Sequence, residues 1–149
     1  MSTQDRDLGY KKIMHEMREL ARYEVKVGIQ SDAGADKEGD FIIDRAVSNE
    51  FGTEKIPERS FMRSAFDMKR FALIELINRL TNGIKQRKVD AKRAANILGQ
   101  THEGDIKNRI DEITSPALSP VTIAKKGSTK PLIDTGQMKQ SVRFVAVKK

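Results

Sequence analysis

The chain has 149 residues, of which 38% are hydrophobic and 33% charged, with six Phe, two Tyr and no Trp. This length is sufficient for one domain with a hydrophobic core, so residues 1–149 are expected to form a single unit. The absence of cysteine excludes disulfides and thiolate metal sites. The N-terminus lacks the apolar segment of a signal peptide, and no apolar run approaches the roughly 20 residues that span a bilayer. The sequence therefore predicts a soluble protein without a membrane partner.

The net charge of +7 is unevenly distributed along the chain. Residues 1–60 carry ten Lys and Arg against thirteen Asp and Glu, whereas residues 61–149 carry eighteen against eight. A basic half of this kind indicates either nucleic-acid binding or complementary charge between neighbouring copies of one protein. The polar composition also favours surfaces that are covered by partner subunits.

The predicted fold begins with a helix and a strand. Within residues 8–22 the apolar side chains recur at helical spacing, which predicts an N-terminal amphipathic helix. Within residues 25–30 they instead alternate with polar residues or Gly, which predicts a half-buried strand. The apolar residues concerned are Tyr10, Ile13, Met17 and Leu20 in the helix, and Val25, Val27 and Ile29 in the strand.

An acidic segment, residues 31–40, follows the strand. It lacks apolar anchors and contains two glycines, so it is expected to be a mobile loop that orders on a partner. It has neither the Gly spacing nor the Lys-Ser/Thr pair of a phosphate-binding loop, and the oxygen spacing of a calcium loop is missing. Its candidate partner-contact residues are Asp32, Asp36 and Glu38.

A short corner between two helices is predicted near residues 52–60. Gly52 suits the end of one helix, and Pro57 is a further stop signal. Ser60 is expected to cap the next helix. Arg59 and Arg63 lie beside this corner and are candidate contacts to the carboxylates of a neighbouring subunit.

Two long helices are predicted in the middle of the chain. The first, residues 61–84, has the broadest apolar face, and we expect it to cover the sheet, with Phe66 and Leu73 in the core. The second spans residues 89–114 and is expected to bend or break around residues 99–104, because it contains two glycines there.

The C-terminal part is predicted to contain two short helices and a strand. Ser119 and Pro120 begin the first helix and Gly127 ends it. Asp134 or Thr135 is expected to cap the second helix, and residues 142–147 form the closing strand. Around the first helix, the exposed cations Lys125, Lys126 and Lys130 are candidates for contact with a partner or with DNA.

The two most characteristic stretches of the sequence are Glu50-Phe51-Gly52-Thr53, with Ile56, Pro57, Arg59 and Phe61 after it, and Leu132-Ile133-Asp134-Thr135-Gly136, with Ser141 after it. In their order and separation they resemble the tail-completion and neck proteins of tailed bacteriophages. That group includes proteins similar to the minor tail protein Z of lambda-like phages and the virion-morphogenesis proteins of Mu-like phages. The resemblance covers roughly residues 25–147. It departs from the family at Ser60, where Pro is favoured, and in lacking a Trp before the Leu-Ser-Pro segment.

The resemblance implies a structural virion protein with an α+β fold: a small antiparallel sheet packed against a long helix, with additional helices and mobile loops. It implies a ring, commonly a hexamer, that completes the tail in the host cytoplasm and enables head–tail joining in the virion. The expected partners are further copies of the chain, the connector or neck proteins, and the tail-tube or terminator proteins. DNA in the lumen would be contacted without sequence readout.

Two other functional classes agree less well with the sequence. A nucleic-acid-binding protein is supported by the basic second half, but the sequence has no aromatic platform for stacking bases and no helix-turn-helix or zinc-finger spacing. An enzyme is not expected, because no nucleophile–base pair, carboxylate dyad or metal cluster can be placed. His15 and His102 have no nearby ligand partners, so no catalytic residue, cofactor or metal site is predicted.

Overall fold

The computed structural model describes residues 7–36, 39–132 and 136–149. In these ranges the elements are α1 (Tyr10–Arg22), β1 (Tyr23–Ile29), α2 (Ile42–Phe51), α3 (Met62–Lys85), α4 (Ala91–Glu112), α5 (Pro120–Lys126), α6 (Gln137–Ser141) and β2 (Val142–Lys148). The fold is α+β, with a small antiparallel sheet packed against a long helix, as predicted. The boundaries lie within about two residues of those expected for most elements. Within the described residues, no helix combines the length and apolar character needed to cross a membrane.

The sheet contains the two predicted strands and brings the two ends of the chain together. β1 and β2 pair in antiparallel register, with Tyr23 opposite Lys148 and Ile29 opposite Val142. In a two-stranded sheet both strands have one edge without a strand partner. One amide on such an edge, the backbone N–H of Phe144, donates to a carboxylate oxygen of Glu103 at 2.9 Å. A helix side chain thus satisfies part of the edge of β2.

The helix that lies across both strands is α4, which corrects the prediction that residues 61–84 cover the sheet. The reason is the size of the side chains at the contact. Gly99 is buried, and a methyl group at that position would come within 2.4 Å of the Phe144 ring. A small residue therefore lets α4 approach β2 closely. α4 is continuous from Ala91 to Glu112, so of the bend or break predicted around residues 99–104, the break does not occur.

α3 packs along α4 and α1 instead of across the sheet. Leu73 is buried as predicted, with 8% of its surface exposed, but Phe66 is 48% exposed, which corrects its assignment to the core. Phe66 meets the ring of His102 edge-on, with 5.9 Å between the ring centroids. The apolar residues of α3 outnumber the positions that face α4, so several remain at the surface.

The main hydrophobic core lies where several short segments converge on the end of the sheet. Phe61, Val142, Ile106 and Ile110 are its largest fully buried members. They come from the corner before α3, the start of β2 and the C-terminal half of α4. Smaller or partly buried residues of α2 and α6 complete the cluster. Apolar burial of this kind is the main favourable term in folding.

The described residues of the acidic loop, 31–36 and 39–40, have a defined turn structure, against the expectation of a segment without order of its own. The backbone N–H of Asp36 donates to the carbonyl of Asp40 at 2.9 Å. The buried carboxylate of Asp36 also forms an ion pair with Arg45. Polar contacts therefore organise this segment where apolar anchors are missing. Mobility of the loop stays a prediction.

The short C-terminal helices begin and end largely as the sequence indicates. The Ser119 hydroxyl accepts a hydrogen bond from the backbone N–H of Thr122 at 3.2 Å, Pro120 is the first residue of α5, and Gly127 ends the helix with φ of 69°. α6 follows Gly136. The predicted caps Asp134 and Thr135 lie outside the described residues.

Candidate functional site

The corner between α2 and α3 is a tight turn that only glycine permits at its first position. Gly52 has a positive φ of 73°, and a Cβ atom there would lie 2.9 Å from the backbone nitrogen of Glu58. The turn is closed by a hydrogen bond from the Thr53 N–H to the Ile56 carbonyl at 2.7 Å. The Thr53 hydroxyl accepts from the Ile56 N–H at 3.0 Å. The predicted short corner between the two helices is present.

A single carboxylate, that of Glu50, connects the end of α2 to the start of α3. Only 2% of Glu50 is exposed. One of its oxygens accepts from the backbone N–H groups of Phe61 at 2.8 Å and Met62 at 2.9 Å. The other accepts from the N–H of Arg63 at 3.0 Å. The first amides of a helix have no partner within the helix and carry partial positive charge, so an anion is stabilised there.

Ser60 does not cap α3, which corrects the sequence-based assignment. Phe61 is the N-cap residue, and its side chain forms no cap hydrogen bond. The Ser60 hydroxyl instead donates to Glu50 at 2.8 Å. Because Glu50 already occupies the free amides, Ser60 acts as a donor to the cap rather than as the cap.

The environment of Glu50 acts on its pKa in two opposing ways. Burial alone would raise the pKa of this carboxyl. The hydrogen bonds from the backbone of Arg63 and Met62, from the Ser60 hydroxyl and from the backbone of Phe61 outweigh burial and hold the pKa below its ordinary value. Glu50 is therefore an ionised structural group near neutral pH.

Arg63 is held by acceptors of its own chain. Its guanidinium donates to a carboxylate oxygen of Glu50 at 3.0 Å, to the backbone carbonyl of Glu50 at 2.7 Å and to Glu58 at 2.7 Å. It also lies over the ring of Phe51, 4.7 Å from the centroid. The hydrogen bond to the Glu50 carboxylate contributes most to raising the pKa of Arg63. The side chain is half exposed, so one side of it remains at the surface.

Arg59 connects the corner to the segment that follows α4. Its backbone N–H donates to the Asn49 carbonyl at 2.7 Å, and its guanidinium donates to the carbonyls of Pro116 at 2.7 Å and Ala117 at 3.3 Å. Only 5% of Arg59 is exposed, and burial lowers its pKa. Within the described residues, no carboxylate lies within ion-pair distance of this guanidinium. A buried cation held by carbonyls alone is strongly dependent on those contacts.

Arg59 lines a cleft of about 460 Å³ between the corner and the C-terminal segments. Three further cationic residues, Arg45, Lys55 and Lys126, line the same cleft, together with Asp36. The lining also includes apolar residues such as Pro57 and Leu132, each of which belongs to one of the two characteristic stretches of the sequence. The structure thus brings Arg59, Lys126 and Asp36 together around one concave surface, whose charged residues are mostly basic.

The other sequence-predicted contact residues are dispersed. Asp32 forms an exposed ion pair with Arg143. Lys126 differs from them, since it lines the cleft, where its ammonium group donates to the carbonyl of Pro131 at 3.1 Å. Lys125 and Lys130 are exposed, and Glu38 lies outside the described residues. A role of these residues at a subunit interface stays a prediction.

Two features of the corner were missed from the sequence. One is the cap by Glu50, for which a signal existed, because an acidic residue at a helix C-terminus opposes the helix dipole and needs another reason to be there. The other is the exposure of apolar side chains on α2. Ile43, Val47 and Phe51 recur at intervals of four residues, on a different face from the buried Ile42 and Ala46.

Among the described residues, no group of three or more His, Asp or Glu side chains has a metal-binding arrangement. His102 is partly buried, and its solvent-inaccessible Nδ1 atom forms no hydrogen bond within the described structure. Burial lowers the pKa of His102, although Asp105 acts against this effect. No family model matches the chain, and neither a curated protein nor a solved structure matches it.

Proposed function

We propose that this chain is a structural virion protein of a tailed bacteriophage, located at the neck or the tail end. It forms a ring of identical subunits that completes the tail and enables head–tail joining. The observation that carries the proposal is the corner between α2 and α3. The residues on which the resemblance to phage neck proteins depends contact one another there and determine the geometry of the turn.

The contacts explain why those residues occur in that order. The Asn49 carbonyl accepts from the Arg59 amide, and the Glu50 carboxylate accepts from the amides of Phe61 and Arg63. Gly52 permits the close approach of Glu58. An insertion or deletion between residues 50 and 59 would remove these contacts together. The motif is therefore a structural unit, which supports the comparison with a family defined by assembly rather than by catalysis.

The second motif region packs into the same core as the corner. Leu132 and Met138 belong to the hydrophobic cluster that contains Phe61. The Ser141 hydroxyl donates to the carbonyl of Gln137 at 2.8 Å, within α6. The two parts of the chain that carry the resemblance are thus joined through one core, as expected if a single fold underlies both.

The titratable groups of the site have structural roles, which favours a non-enzymatic function. The Glu50 carboxylate accepts hydrogen bonds from the first amides of α3, and the Arg63 guanidinium donates to Glu50 and Glu58. A general base or nucleophile requires a reachable position beside a second catalytic group. The proposed partners are accordingly proteins: further copies of this chain, the connector or neck proteins and the tail-tube or terminator proteins, with non-specific contact to DNA in the lumen.

The test combines particle size with biological complementation. Purified protein is measured by light scattering and imaged by electron microscopy, and it is then added to heads and tails that were assembled without it. We expect ring-shaped oligomers and restored infectious particles. A persistent monomer that binds DNA tightly and with strong salt dependence would overturn the proposal in favour of a nucleic-acid-binding protein.

A further inference from the structure

The surface of α2 carries an apolar stripe that nothing in the described chain covers. Phe41, just before the helix, and Ile43, Val47 and Phe51 within it are between 36% and 61% exposed. The last three are spaced by four residues, so they lie along one side of the helix. The neighbouring side of α2 faces the core, through Ile42 and Ala46.

α3 carries a second exposed apolar stripe. Phe66, Phe71, Ile74 and Ile77 are between 43% and 72% exposed. At 100° per residue, these positions cover one side of α3, next to the side that packs on α4. Arg70 lies in the middle of this stripe, one turn from Phe66 and one turn from Ile74.

The two stripes meet at the corner and form one surface, here called the α2–α3 face. The Arg63 guanidinium, from the first turn of α3, lies over the ring of Phe51 at the end of α2. Phe66 follows Arg63 by three residues and is therefore its neighbour on the helix surface. The apolar surface continues from α2 across this contact onto α3.

The size of the α2–α3 face agrees with a protein interface rather than with scattered surface residues. Eight large apolar side chains, each about half exposed, present roughly 700 Å². A contact that pairs the α2 stripe of one subunit with the α3 stripe of another buries roughly half of this area on each side, which is the scale of a weak interface. Exposed apolar patches of several hundred Å² mark interaction sites in soluble proteins.

The charges on the face indicate a second copy of the same chain as its occupant. Asp44 is exposed beside Val47 and Phe51, and the described part of the chain gives its carboxylate no ion pair. Arg70 lies in the middle of the α3 stripe, and the described residues likewise provide no carboxylate partner for it. An acidic side chain without an ion pair therefore borders the α2 stripe, and a basic one lies within the α3 stripe. Two copies complement each other when α2 of one meets α3 of the other.

We propose that the α2–α3 face is the contact between copies of this chain, with the α2 stripe of one subunit packed on the α3 stripe of the next and Asp44 opposite Arg70. This inference rests on the proposed function, which requires contact between identical subunits, and it names the surfaces involved. Burial of the apolar residues supplies the affinity, and the Asp44–Arg70 pair supplies the orientation.

The experiment uses two charge reversals in the full chain, Asp44→Lys and Arg70→Glu. Each variant alone places like charges across the contact, and we expect its self-association to weaken at least tenfold in sedimentation-velocity measurements. In an equimolar mixture, the lysine introduced at position 44 of one variant can lie opposite the glutamate introduced at position 70 of the other. The reverse contact joins the unchanged Asp44 and Arg70, so the mixture should associate as the wild type does. Circular dichroism melting checks that each variant is folded. Lys92→Glu, an exposed charge reversal on α4, is the matched control and should associate normally.

The possible outcomes separate this contact from the proposed function. If either single variant associates like the wild type, if the mixture fails to associate, or if the wild type is monomeric, the proposed contact is wrong. If the single variants form normal rings and restore particles, the contact is wrong and the proposed function stands. If the mixture restores association but does not restore particles from heads and tails, the contact stands and the proposed function fails.

Discussion

At the scale of single residues, three carboxylates in the described part of the chain bind backbone amides of another element. Glu50 of α2 accepts from the first amides of α3, Glu16 of α1 accepts from Ala91 of α4 at 2.8 Å, and Glu103 of α4 accepts from Phe144 of β2 at 2.9 Å. Each replaces a carbonyl that a helix or sheet would otherwise supply. Glu50 receives the largest number of such hydrogen bonds, so its charge should matter most for stability.

We predict that Glu50→Gln lowers the free energy of unfolding by about 1–3 kcal/mol, because an amide is a weaker acceptor and turns an NH₂ group toward backbone donors. The measurement is urea unfolding followed by circular dichroism. Glu58→Gln is the matched control, since Glu58 is exposed and its carboxylate contacts Arg63 alone among the described residues, and it should change stability by less than about 0.5 kcal/mol. Equal effects of the two substitutions would show that Glu50 does not cap α3.

The pH dependence of stability should also differ between the wild type and Glu50→Gln. The pKa of Glu50 in the folded protein is below its ordinary value of 4.5. As pH falls, the unfolded chain therefore takes up a proton before the folded chain does. The stability that Glu50 contributes is complete above about pH 5 and is lost as pH falls through the folded pKa.

We therefore predict that the difference in unfolding free energy between wild type and Glu50→Gln shrinks as the pH is lowered from about 5. The pKa of His102 is also lowered, by burial, but His102 is present in both proteins and its effect cancels in the difference. Urea titrations at several pH values provide the comparison. A difference that is constant over the acidic range would contradict the lowered pKa of Glu50.

At the scale of elements, the sequence predicted where the helices lie but not which of them covers the sheet. The helical periodicity of the apolar residues predicted the ends of α3 to within one residue, and it identified the apolar face of the helix. The helix that packs on the strands is the one whose side chains are small enough to allow a close contact. On α4 the buried residues include Ala94, Ala95 and Gly99. A local rule treats Gly99 as a helix breaker. In the fold, the space it leaves is filled by the Phe144 ring.

The candidate site shows the same limit of local rules. Gly52 and Pro57 mark the corner because turns have local sequence preferences. The cap of α3 comes from Glu50, which is eleven residues from Phe61, whereas sequence rules for caps consider only the residue at the helix start. Phe66 on α3 was expected to lie in the core but is half exposed, because periodicity shows that a face is apolar without showing what covers it.

The two glycines of α4 allow a direct test of this account. Gly99→Ala should lower the free energy of unfolding by about 1–3 kcal/mol, because its methyl group would overlap the Phe144 ring. Gly104→Ala should raise it by about 0.5–1 kcal/mol, because no atom lies within 4 Å of the added group and Ala favours the helix. Thermal and urea unfolding measure both. Stabilisation by Gly99→Ala would show that α4 does not pack closely on β2.

A second pair of substitutions tests the orientation of α3. Leu73→Ala should lower the unfolding free energy by about 2–4 kcal/mol through loss of buried contacts, because Leu73 is almost fully covered. Phe66→Ala should cost the isolated subunit distinctly less, because half of this side chain is already in water. Urea unfolding at a concentration that keeps the protein monomeric provides the values. A larger loss for Phe66→Ala would restore the original assignment of Phe66 to the core.

At the scale of the whole molecule, part of the charge asymmetry is used inside the fold. The antiparallel pairing of β1 with β2 brings acidic residues of the first half next to basic residues of the second. Asp32 pairs with Arg143, Glu19 with Lys148, and Glu24 with Lys149 at 3.6 Å. The cations around α5 are not used in this way. Lys125 and Lys130 are exposed, and the described residues offer neither of them an ion pair.

We predict that Lys125 and Lys130 contribute to weak, sequence-independent contact with DNA and not to association between copies. The double variant Lys125→Glu, Lys130→Glu should fold and self-associate normally, because neither side chain lies in the core or on the α2–α3 face. If both lysines neutralise phosphates, their loss reduces the log–log salt slope of DNA binding by about two, since each phosphate contributes about one unit. Fluorescence anisotropy with a duplex of random sequence, titrated with salt, measures that slope. Lys11→Glu, Lys12→Glu on α1 makes the same change in net charge and should alter the slope less. Equal changes in both double variants would mean that DNA responds only to the overall charge, because a local contact at α5 would make the first variant differ.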